Sequence, residues 1–496
     1  MASSREAEER SVPHHMNRLT KTTYVEGLDC DRRLWLNAHK REAKTPPDAA
    51  VQRLFQQGQE VDHAAREQFP DGVTMPHHFR RTEEALAATA VAIKAGERCL
   101  FQAAFEHDGV LIVADILERI EDGWHLVEVK MTSEVKPEHL NDLAVQRHVL
   151  EEVGLKVRRA SIMHINTESV HPDTVNLFLL EDVTARLGEA HDVRTTLERY
   201  RRILAEEAQP DVQLGRHCLN PVCPDKAHCW AGLQGRTIYD LQDLHHSTQK
   251  KLAQQQVLLI DEIPEDFILS DRAAAGLARY KTNGVDIDYA EIAAQMGTLE
   301  YPLAFLDFET DNPPLPNHVG TQPFQQVPFQ YSLHVLHRDG TLEHHEYLHV
   351  EATDPRASFV ADLLDHMPTS SSVIAYSAGF EKRVLSELAD AFPEQADDLR
   401  GIVERMRDQL DIVRKAYRHH AFGASNSLKA VLPVLVPHLS YGSLSVRNGT
   451  QAQVAFEQIV RRVEGWEALA DDLRAYCHLD TLAMVELHRH FEGVLP

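Results

Sequence analysis

The sequence has no apolar run long enough to span a lipid bilayer, and its first residues lack the apolar core of a secretory signal. We therefore expect a cytoplasmic protein without a membrane partner. A phosphate-binding loop of the G-x-x-x-x-G-K-[ST] form is also missing, so no built-in ATPase motor is expected. Cysteine is scarce, with six residues among 496. In the cytoplasm such cysteines bind metals or stay reduced more often than they form disulfides.

Basic residues are outnumbered, with 51 Lys and Arg against 76 Asp and Glu and a formal net charge of −25. This balance argues against a protein that coats nucleic acid through its bulk charge. It still allows a local basic groove, and it supplies carboxylates for metal sites. The length exceeds that of one ordinary hydrophobic core and predicts several domains.

A first acidic centre is predicted on two neighbouring strands. Residues 110–120 and 124–130 have the apolar pattern of strands, and Glu-Asp-Gly between them is typical of a turn. Asp115 lies on the first strand, while Glu128 and Lys130 share one face of the second. Carboxylates that hold Mg²⁺ or Mn²⁺ neutralise a phosphodiester and activate water, and an ammonium can orient that water. The alternative is an ordinary amphipathic strand with a surface ion pair.

These residues resemble the RecB-type branch of the PD-(D/E)XK nucleases, which includes the iron–sulfur exonucleases of CRISPR adaptation and the AddB-type repair nucleases. The resemblance implies that His63, Asp115 and Glu128 bind the metal and that Lys130 and Gln146 are catalytic. Leu150 stands where that family has a tyrosine.

A cysteine cluster follows a long gap after the first cysteine. Residues 18–36 predict one helix that carries Cys30, and Cys218-x4-Cys223-x5-Cys229 lies far downstream. Three close cysteines indicate a metal site. In the same nuclease family, one N-terminal and three C-terminal thiolates hold a 4Fe–4S cluster that ties the two ends of the fold together. Zinc is the alternative, because four thiolates also bind it well. The two remaining cysteines are expected to be core or incidental thiols.

A second acidic centre is predicted near the C-terminus. Asp307 and Glu309 share one face at the end of an apolar strand, and Glu381 stands where a strand gives way to a helix. Tyr476 and Asp480 are four residues apart on a helix and therefore share a face. Four acids at a strand end can hold two metals, and the tyrosine could orient the attacking water. The alternative is a plain strand terminus and a common helical pattern.

This second set resembles the DEDD exonuclease superfamily in its tyrosine form, with Glu381 where an aspartate is usual. The whole order is similar to an uncharacterised bacterial family of predicted RecB-like nucleases fused to an RNase H-like domain. The resemblance implies an α/β multidomain chain. Its expected parts are a flexible N-terminus (1–14), a PD-(D/E)XK restriction-endonuclease-like domain with the cysteine cluster (15–235), a helical connector (236–297) and an RNase H-like α/β domain of the DEDD exonuclease type (298–496).

The expected function is therefore metal-dependent hydrolysis of nucleic acid. The resemblance favours DNA over RNA and suggests a role in DNA repair or phage defence, with a separate helicase as a partner. Two alternatives stay open. In the first alternative, only one centre is catalytic and the other is a scaffold, as the departures at Leu150 and Glu381 suggest. In the second, the chain is a non-enzymatic iron–sulfur module that binds nucleic acid.

Overall fold

The structure, a computed structural model, describes residues 18–40, 45–76, 82–173, 175–220 and 222–496. The predicted flexible N-terminus, residues 1–14, lies outside this range. The chain forms two compact units. The first comprises Leu54–Ser169 and Asp173–Ala231 with the described residues up to Pro46, and the second comprises Gly232–Pro496 with Pro47–Arg53 and Val170–Pro172. In the described part of the chain, no helix is both long and apolar enough to cross a membrane.

Residues 18–231 combine helices with strands of one sheet. The strands are β1 (Leu19–Thr20), β2 (Val73–Thr74), β3 (Cys99–His107), β4 (Val110–Ile120), β5 (Gly123–Lys130), β6 (Val157–Ile165) and β7 (Phe178–Asp182). The helices are α1 (Lys21–Asp29), α2 (Asp31–His39), α3 (Ala49–Arg66), α4 (Thr82–Ala95), α5 (Pro137–Glu152), α6 (Val193–Ala205) and α7 (Lys226–Cys229). The strands predicted over 110–120 and 124–130 are thus present.

The sheet of the first unit has the order β2-β3-β4-β5-β6-β7, with β1 beside the start of β4. β3, β4 and β5 form an antiparallel meander, and β6 runs parallel to β5. A parallel neighbour needs a crossover connection, which α5 provides. Leu140, Leu143 and Val149 of α5 are buried in the apolar core that this sheet forms. The meander and α5 therefore converge where the first acidic centre was predicted.

The helix predicted over 18–36 is broken at Cys30. That residue has an extended backbone (φ −160°, ψ 120°), ends α1 and precedes α2. Its N–H still bonds the carbonyl oxygen of Glu26, while Asp31 opens α2 with a charge that suits a helix N-terminus. The break sets Cys30 at a corner of the chain.

Residues 232–496 form the rest of the second unit. The strands are β8 (Val285–Ile287), β9 (Leu303–Asp311), β10 (Val327–Leu336), β11 (Leu342–Leu348), β12 (Ser372–Ala375), β13 (Met406–Asp408) and β14 (Tyr417–His419). The helices are α8 (His246–Gln254), α9 (Asp271–Lys281), α10 (Tyr289–Met296), α11 (Arg356–His366), α12 (Gly379–Ala391), α13 (Ala396–Arg405), α14 (Leu410–Ala416), α15 (Leu428–Leu435), α16 (Gly449–Val460) and α17 (Trp466–Val494).

The main sheet of the second unit has the order β11-β10-β9-β12-β13. β9, β10 and β11 are antiparallel neighbours, whereas β12 runs parallel to β9 and β13 parallel to β12. The central β9 begins with the fully buried run Leu303–Leu306, as expected for a strand covered on both faces. α17 packs on β9 and β10. The end of β9 and the middle of α17 are thereby brought together.

Residues 236–297, predicted as a helical connector, belong to the second unit. They contain α8, α9 and α10, but also β8, which pairs with β14 in a two-stranded antiparallel sheet. Asp243 is buried and forms ion pairs with Arg279 and Arg418 at 3.0 Å each. These contacts join the region to residues far along the chain, which local sequence patterns do not show.

Candidate functional site

Three carboxylates of the second unit converge on one point. Asp307 and Glu309 come from β9 and Asp480 comes from α17, and one oxygen of each lies within 4.8 Å of the others. Strand alternation gives the first two a common face, and α17 packs against that strand. Glu309 and Asp480 are buried, whereas Asp307 is half-buried. This carboxylate cluster has the oxygen ligands that Mg²⁺ and Mn²⁺ prefer.

Glu381 lies buried in the first turn of α12. Within the described residues, its Oε2 has no hydrogen-bond partner. Glu381 is not among the three acids whose oxygens all lie within 4.8 Å of one another, but its charge still acts to raise the pKa of Asp307 and that of Glu309. A buried carboxylate oxygen without a partner costs free energy. A bound cation would remove that cost.

Burial and mutual repulsion raise the pKa values of this cluster. Burial raises the pKa of Glu309 to about 8, with Asp480 adding repulsion. Burial likewise raises the pKa of Glu381 to about 7 and that of Asp480 to about 6. The pKa of Asp307 is also raised well above its usual value, by burial and then by Asp480. The cluster therefore holds protons near neutral pH unless a cation replaces them.

Two further residues complete the second centre. Lys429, in the first turn of α15, donates a hydrogen bond of 2.8 Å to the hydroxyl of Tyr476, and Tyr441 donates one to Asp480. Burial, followed by the charge of Asp480, raises the pKa of Tyr476, so its hydroxyl stays protonated. Neither Lys429 nor Tyr441 was predicted, because the motif Tyr-x-x-x-Asp gives no information on residues from other segments.

The first centre is a buried network around Glu128, whose side chain is 2% exposed. Lys130 and Lys21 donate to its Oε1 at 2.6 and 2.7 Å, and Gln146 donates to its Oε2 at 2.7 Å. Lys130 also donates to Asp142. The predicted residues Glu128, Lys130 and Gln146 are thus in direct contact. Lys21 and Asp142 were not predicted.

Asp115 lies beside this network on β4. Its carboxylate accepts the backbone N–H of Val129 at 3.0 Å and the side-chain amide of Gln102 at 3.4 Å. Burial raises the pKa of Asp115 to about 7, and the charge of Glu128 adds to the effect. Burial also acts to raise the pKa of Glu128, but Lys130 and Lys21 outweigh it and hold that pKa below its usual range. The surroundings of these two carboxyls therefore shift their pKa values in opposite directions.

The predicted ligand His63 lies exposed on α3 and is not part of the hydrogen-bonded network that the described residues form around Glu128. The preceding residue, Asp62, is the one that faces the centre, because Gln102 donates to it at 3.3 Å as well as to Asp115. The helical pattern of α3 alone does not decide which of two neighbouring residues turns toward the sheet.

The four predicted cysteine ligands line one cavity of about 330 Å³ in the first unit. Cys30 stands at the corner between α1 and α2, Cys218 ends a short 3-10 helix, and Cys229 ends α7. The N–H of Cys223 bonds the carbonyl oxygen of Cys218 at 3.1 Å, which closes the loop between them. The fold thus brings together thiols that are nearly two hundred residues apart in sequence.

The thiols of this cavity stand beside arginines. Burial raises the pKa of Cys229 and that of Cys223. A hydrogen bond from Arg32 opposes the shift at Cys229. At Cys223 a hydrogen bond from the backbone of Asp225 opposes it first, and the charge of Arg33 adds a smaller effect. A metal or cluster would hold these thiols as thiolates. Four cysteines around one cavity match the number of thiolates that a 4Fe–4S cluster requires.

Comparisons with known proteins show similarity to a domain family and to one relative, and neither similarity indicates an activity. The family model described as a domain of unknown function (DUF2779) matches residues 304–427. An uncharacterized protein of Ureaplasma parvum serovar 3 is 26% identical over 236 residues, which is 42% of this chain. The match spans 33% of that relative's length. The DUF2779 match contains Asp307, Glu309 and Glu381, but it ends before Lys429, Tyr476 and Asp480.

Proposed function

We propose that this protein is a Mg²⁺- or Mn²⁺-dependent nuclease that hydrolyses the phosphodiester bonds of DNA. The observation that carries the proposal is the convergence of Asp307, Glu309 and Asp480 to within 4.8 Å of one another. The unpartnered buried oxygen of Glu381 in the same neighbourhood supports it. The acidic net charge is compatible with such a site, since the carboxylates themselves provide the metal ligands.

The topology of the second unit supports an RNase H-like domain with a DEDD-type exonuclease site. Three antiparallel strands are followed by a helix and a parallel strand, and the first strand is central and carries the two acids of the first motif. This is the element order that the sequence resemblance implies. The catalytic acids then stand at the end of the central strand, with the tyrosine and the last acid on α17.

The side chains of this centre have separable roles. Asp307, Glu309, Asp480 and Glu381 would hold divalent cations, which polarise the phosphodiester and activate water when bound. Tyr476 keeps its proton and can donate a hydrogen bond to the attacking water or to a phosphate oxygen. Lys429 orients that hydroxyl and brings positive charge to an otherwise acidic pocket.

The first unit is proposed as a PD-(D/E)XK-type domain with an iron–sulfur cluster. In support, Asp115, Glu128, Lys130 and Gln146 share one neighbourhood, and the four cysteines share one cavity. We propose that the cluster fixes the ends of this unit. DNA repair or phage defence, with a separate helicase as partner, is the context that the resemblance suggests.

One observation favours the second candidate, in which only the centre of the second unit is catalytic. Both carboxylate oxygens of Glu128 are already engaged, Oε1 by two ammonium groups and Oε2 by Gln146. A cation at Glu128 would have to displace at least one of these donors. In the described part of the second unit, the predicted ligand Glu381 keeps an uncommitted oxygen, whereas in that of the first centre the unpartnered buried carboxylate oxygen belongs to Asp62, which was not a predicted ligand.

The proposal is tested with protein purified under anaerobic conditions and end-labelled single- and double-stranded DNA and RNA. Asp307→Asn and Lys130→Ala are compared with the wild type, with their double variant and with the exposed controls Asp365→Asn and Lys94→Ala. Metal-dependent cleavage of DNA that is lost in Asp307→Asn supports the proposal, and loss in Lys130→Ala alone assigns the activity to the first centre. Binding without metal-dependent cleavage, or cleavage that persists in the double variant, rejects it.

A further inference from the structure

Three histidines of the second unit form a cluster that the proposed nuclease chemistry does not use. His334 lies on β10, His344 on β11 and His478 on α17. One ring nitrogen of each lies within 4.8 Å of the others. His334 is 2% exposed, and the other two are half-buried. Three imidazoles from three elements thus meet inside the unit.

The sheet register brings the first two together. His334 and His344 are directly opposite each other in the antiparallel β10–β11 pair, and their ring centroids are 4.4 Å apart. Opposite residues on one face of such a pair are in contact. α17 then places the ring of His478 at 4.3 Å from that of His344 and 4.8 Å from that of His334.

The nitrogen geometry matches that of a shared ion. His478 Nδ1 and His344 Nε2 are 3.3 Å apart. Two nitrogens that each lie 2.0–2.1 Å from a tetrahedral Zn²⁺ are separated by roughly 3.3 Å. A proton between the two rings would explain this one distance, but it would not explain the approach of the third imidazole.

Hydroxyl groups contact two of the three rings. Thr481 Oγ1 lies 2.8 Å from His334 Nδ1, and Ser332 Oγ lies 2.6 Å from Thr481 Oγ1 and 3.0 Å from His344 Nε2. Metal-binding histidines characteristically use one nitrogen for the metal and the other for an orienting hydrogen bond. The bond between Thr481 and Nδ1 of His334 is of this orienting kind and leaves Nε2 of that ring for a metal. Ser332 instead contacts Nε2 of His344, the nitrogen that faces His478, so a bound ion would displace that contact.

We propose that His334, His344 and His478 bind one transition-metal ion, with Zn²⁺ as the expected occupant. Imidazole ligands suit zinc, copper, nickel and iron, whereas Mg²⁺ prefers oxygen. His478 lies on α17 between Tyr476 and Asp480, so the ion would fasten this helix to β10 and β11. Its role is to position those two residues, and it does not require that the protein be a nuclease.

The test is metal counting on the full chain with its cysteine-bound cofactor intact. The wild type and the variants His344→Gln and His478→Gln are dialysed against Zn²⁺ under anaerobic conditions, and zinc per chain is measured. His345→Gln, at the next position of the same strand, is the matched control, and Asp307→Asn removes a ligand of the carboxylate cluster. We expect one zinc per chain to be lost in the two histidine variants and retained in both His345→Gln and Asp307→Asn.

X-ray absorption at the zinc edge of the wild type keeps the proposal testable if a variant fails to fold. The expected spectrum has imidazole scattering and a nitrogen shell near 2.0–2.1 Å. Equal zinc in the wild type and both folded histidine variants, or zinc that is coordinated by sulfur alone, overturns the proposal. If zinc binding depends on the histidines but the protein has no nuclease activity, the proposed function is rejected and the proposed zinc site is retained.

Discussion

The Nζ of Lys429 donates a hydrogen bond of 2.8 Å to the hydroxyl oxygen of Tyr476 and lies 4.8 Å from the centre of its ring. The same ammonium acts to lower the pKa of both Glu309 and Asp480, against the effect of their burial. One residue therefore orients the tyrosine and offsets repulsion among the carboxylates. This double contact makes Lys429 a positioning residue of the second centre.

Substitution Lys429→Met is expected to lower kcat of DNA cleavage by about 10- to 100-fold, the usual effect of removing a residue that orients a metal site. Loss of the positive charge raises the carboxylate pKa values further, so the pH midpoint of Mn²⁺ binding should move upward. Single-turnover cleavage and Mn²⁺ titrations at several pH values check both effects. The exposed Lys415→Met on α14 is the control. Unchanged kcat and an unchanged binding midpoint in folded Lys429→Met would refute the assigned role.

Lys21 makes the second ammonium contact with Glu128, and its loss should destabilise the first unit. Breaking a buried ion pair costs about 3–5 kcal/mol, and we expect roughly 3 kcal/mol for Lys21→Met because Lys130 still pairs with Glu128. Urea unfolding at neutral pH measures the change in free energy. The exposed Lys94→Met should stay within about 0.5 kcal/mol of the wild type.

A double-mutant cycle separates the ion pair from simple loss of packing at Lys21. When Glu128→Gln is already present, Lys21→Met should cost much less, since an amide needs no cationic partner. Equal costs of Lys21→Met in both backgrounds would show that the ammonium of Lys21 does not compensate the charge of Glu128.

Local patterns predict the parts of each centre that lie on a single element. Alternation along a strand places Asp307 beside Glu309, and helical spacing places Tyr476 beside Asp480. The hairpin between residues 110 and 130 follows in the same way from two apolar runs around a turn. The structure has strands at Val110–Ile120, Gly123–Lys130 and Leu303–Asp311, and it places Tyr476 and Asp480 on the helix Trp466–Val494.

Contacts between distant segments are what the patterns miss. Lys21 is 107 residues from Glu128, and Lys429 is 47 residues from Tyr476. Sequence spacing carries no signal for such pairs, because only the packed fold brings them together. The strand Cys99–His107 is also not predicted, since its apolar run does not alternate and Gln102 has a positive φ of 56°.

The raised pKa values of the carboxylate cluster predict a stability that falls with rising pH when metal is absent. Folded Glu309 has a pKa of about 8 against an ordinary 4.5, so between these values the folded state binds more protons than the unfolded chain. Stability from this group is complete below about pH 4.5 and is lost as the pH rises through about 8. The raised pKa values of Asp480 (about 6) and Glu381 (about 7) also make stability fall with rising pH, over narrower pH ranges. Urea unfolding in EDTA across this range should show the decline.

Added Mn²⁺ should restore stability at the alkaline end of the window and have little effect at the acid end, because protonated carboxylates do not bind metal. In Glu309→Gln, both the decline in EDTA and the rescue by Mn²⁺ should shrink. Asp365→Asn, an exposed acid on α11, should behave like the wild type. Stability that stays flat with pH in EDTA would argue against a cluster of raised carboxyl pKa values.

The position of Cys30 allows a sharp test of the cysteine cavity. If this thiol is the fourth ligand of a 4Fe–4S cluster, Cys30→Ser should reduce iron well below the four atoms per chain of an intact cluster and weaken the visible absorbance. Because free energy of metal binding is also folding free energy, the first unit should unfold at a lower temperature. Cys99→Ser is the matched control, since that thiol is buried on β3 and does not line the cavity. Iron that is retained in full by Cys30→Ser would exclude the residue as a ligand, and zinc with no iron in the wild type would identify a four-thiolate zinc site instead.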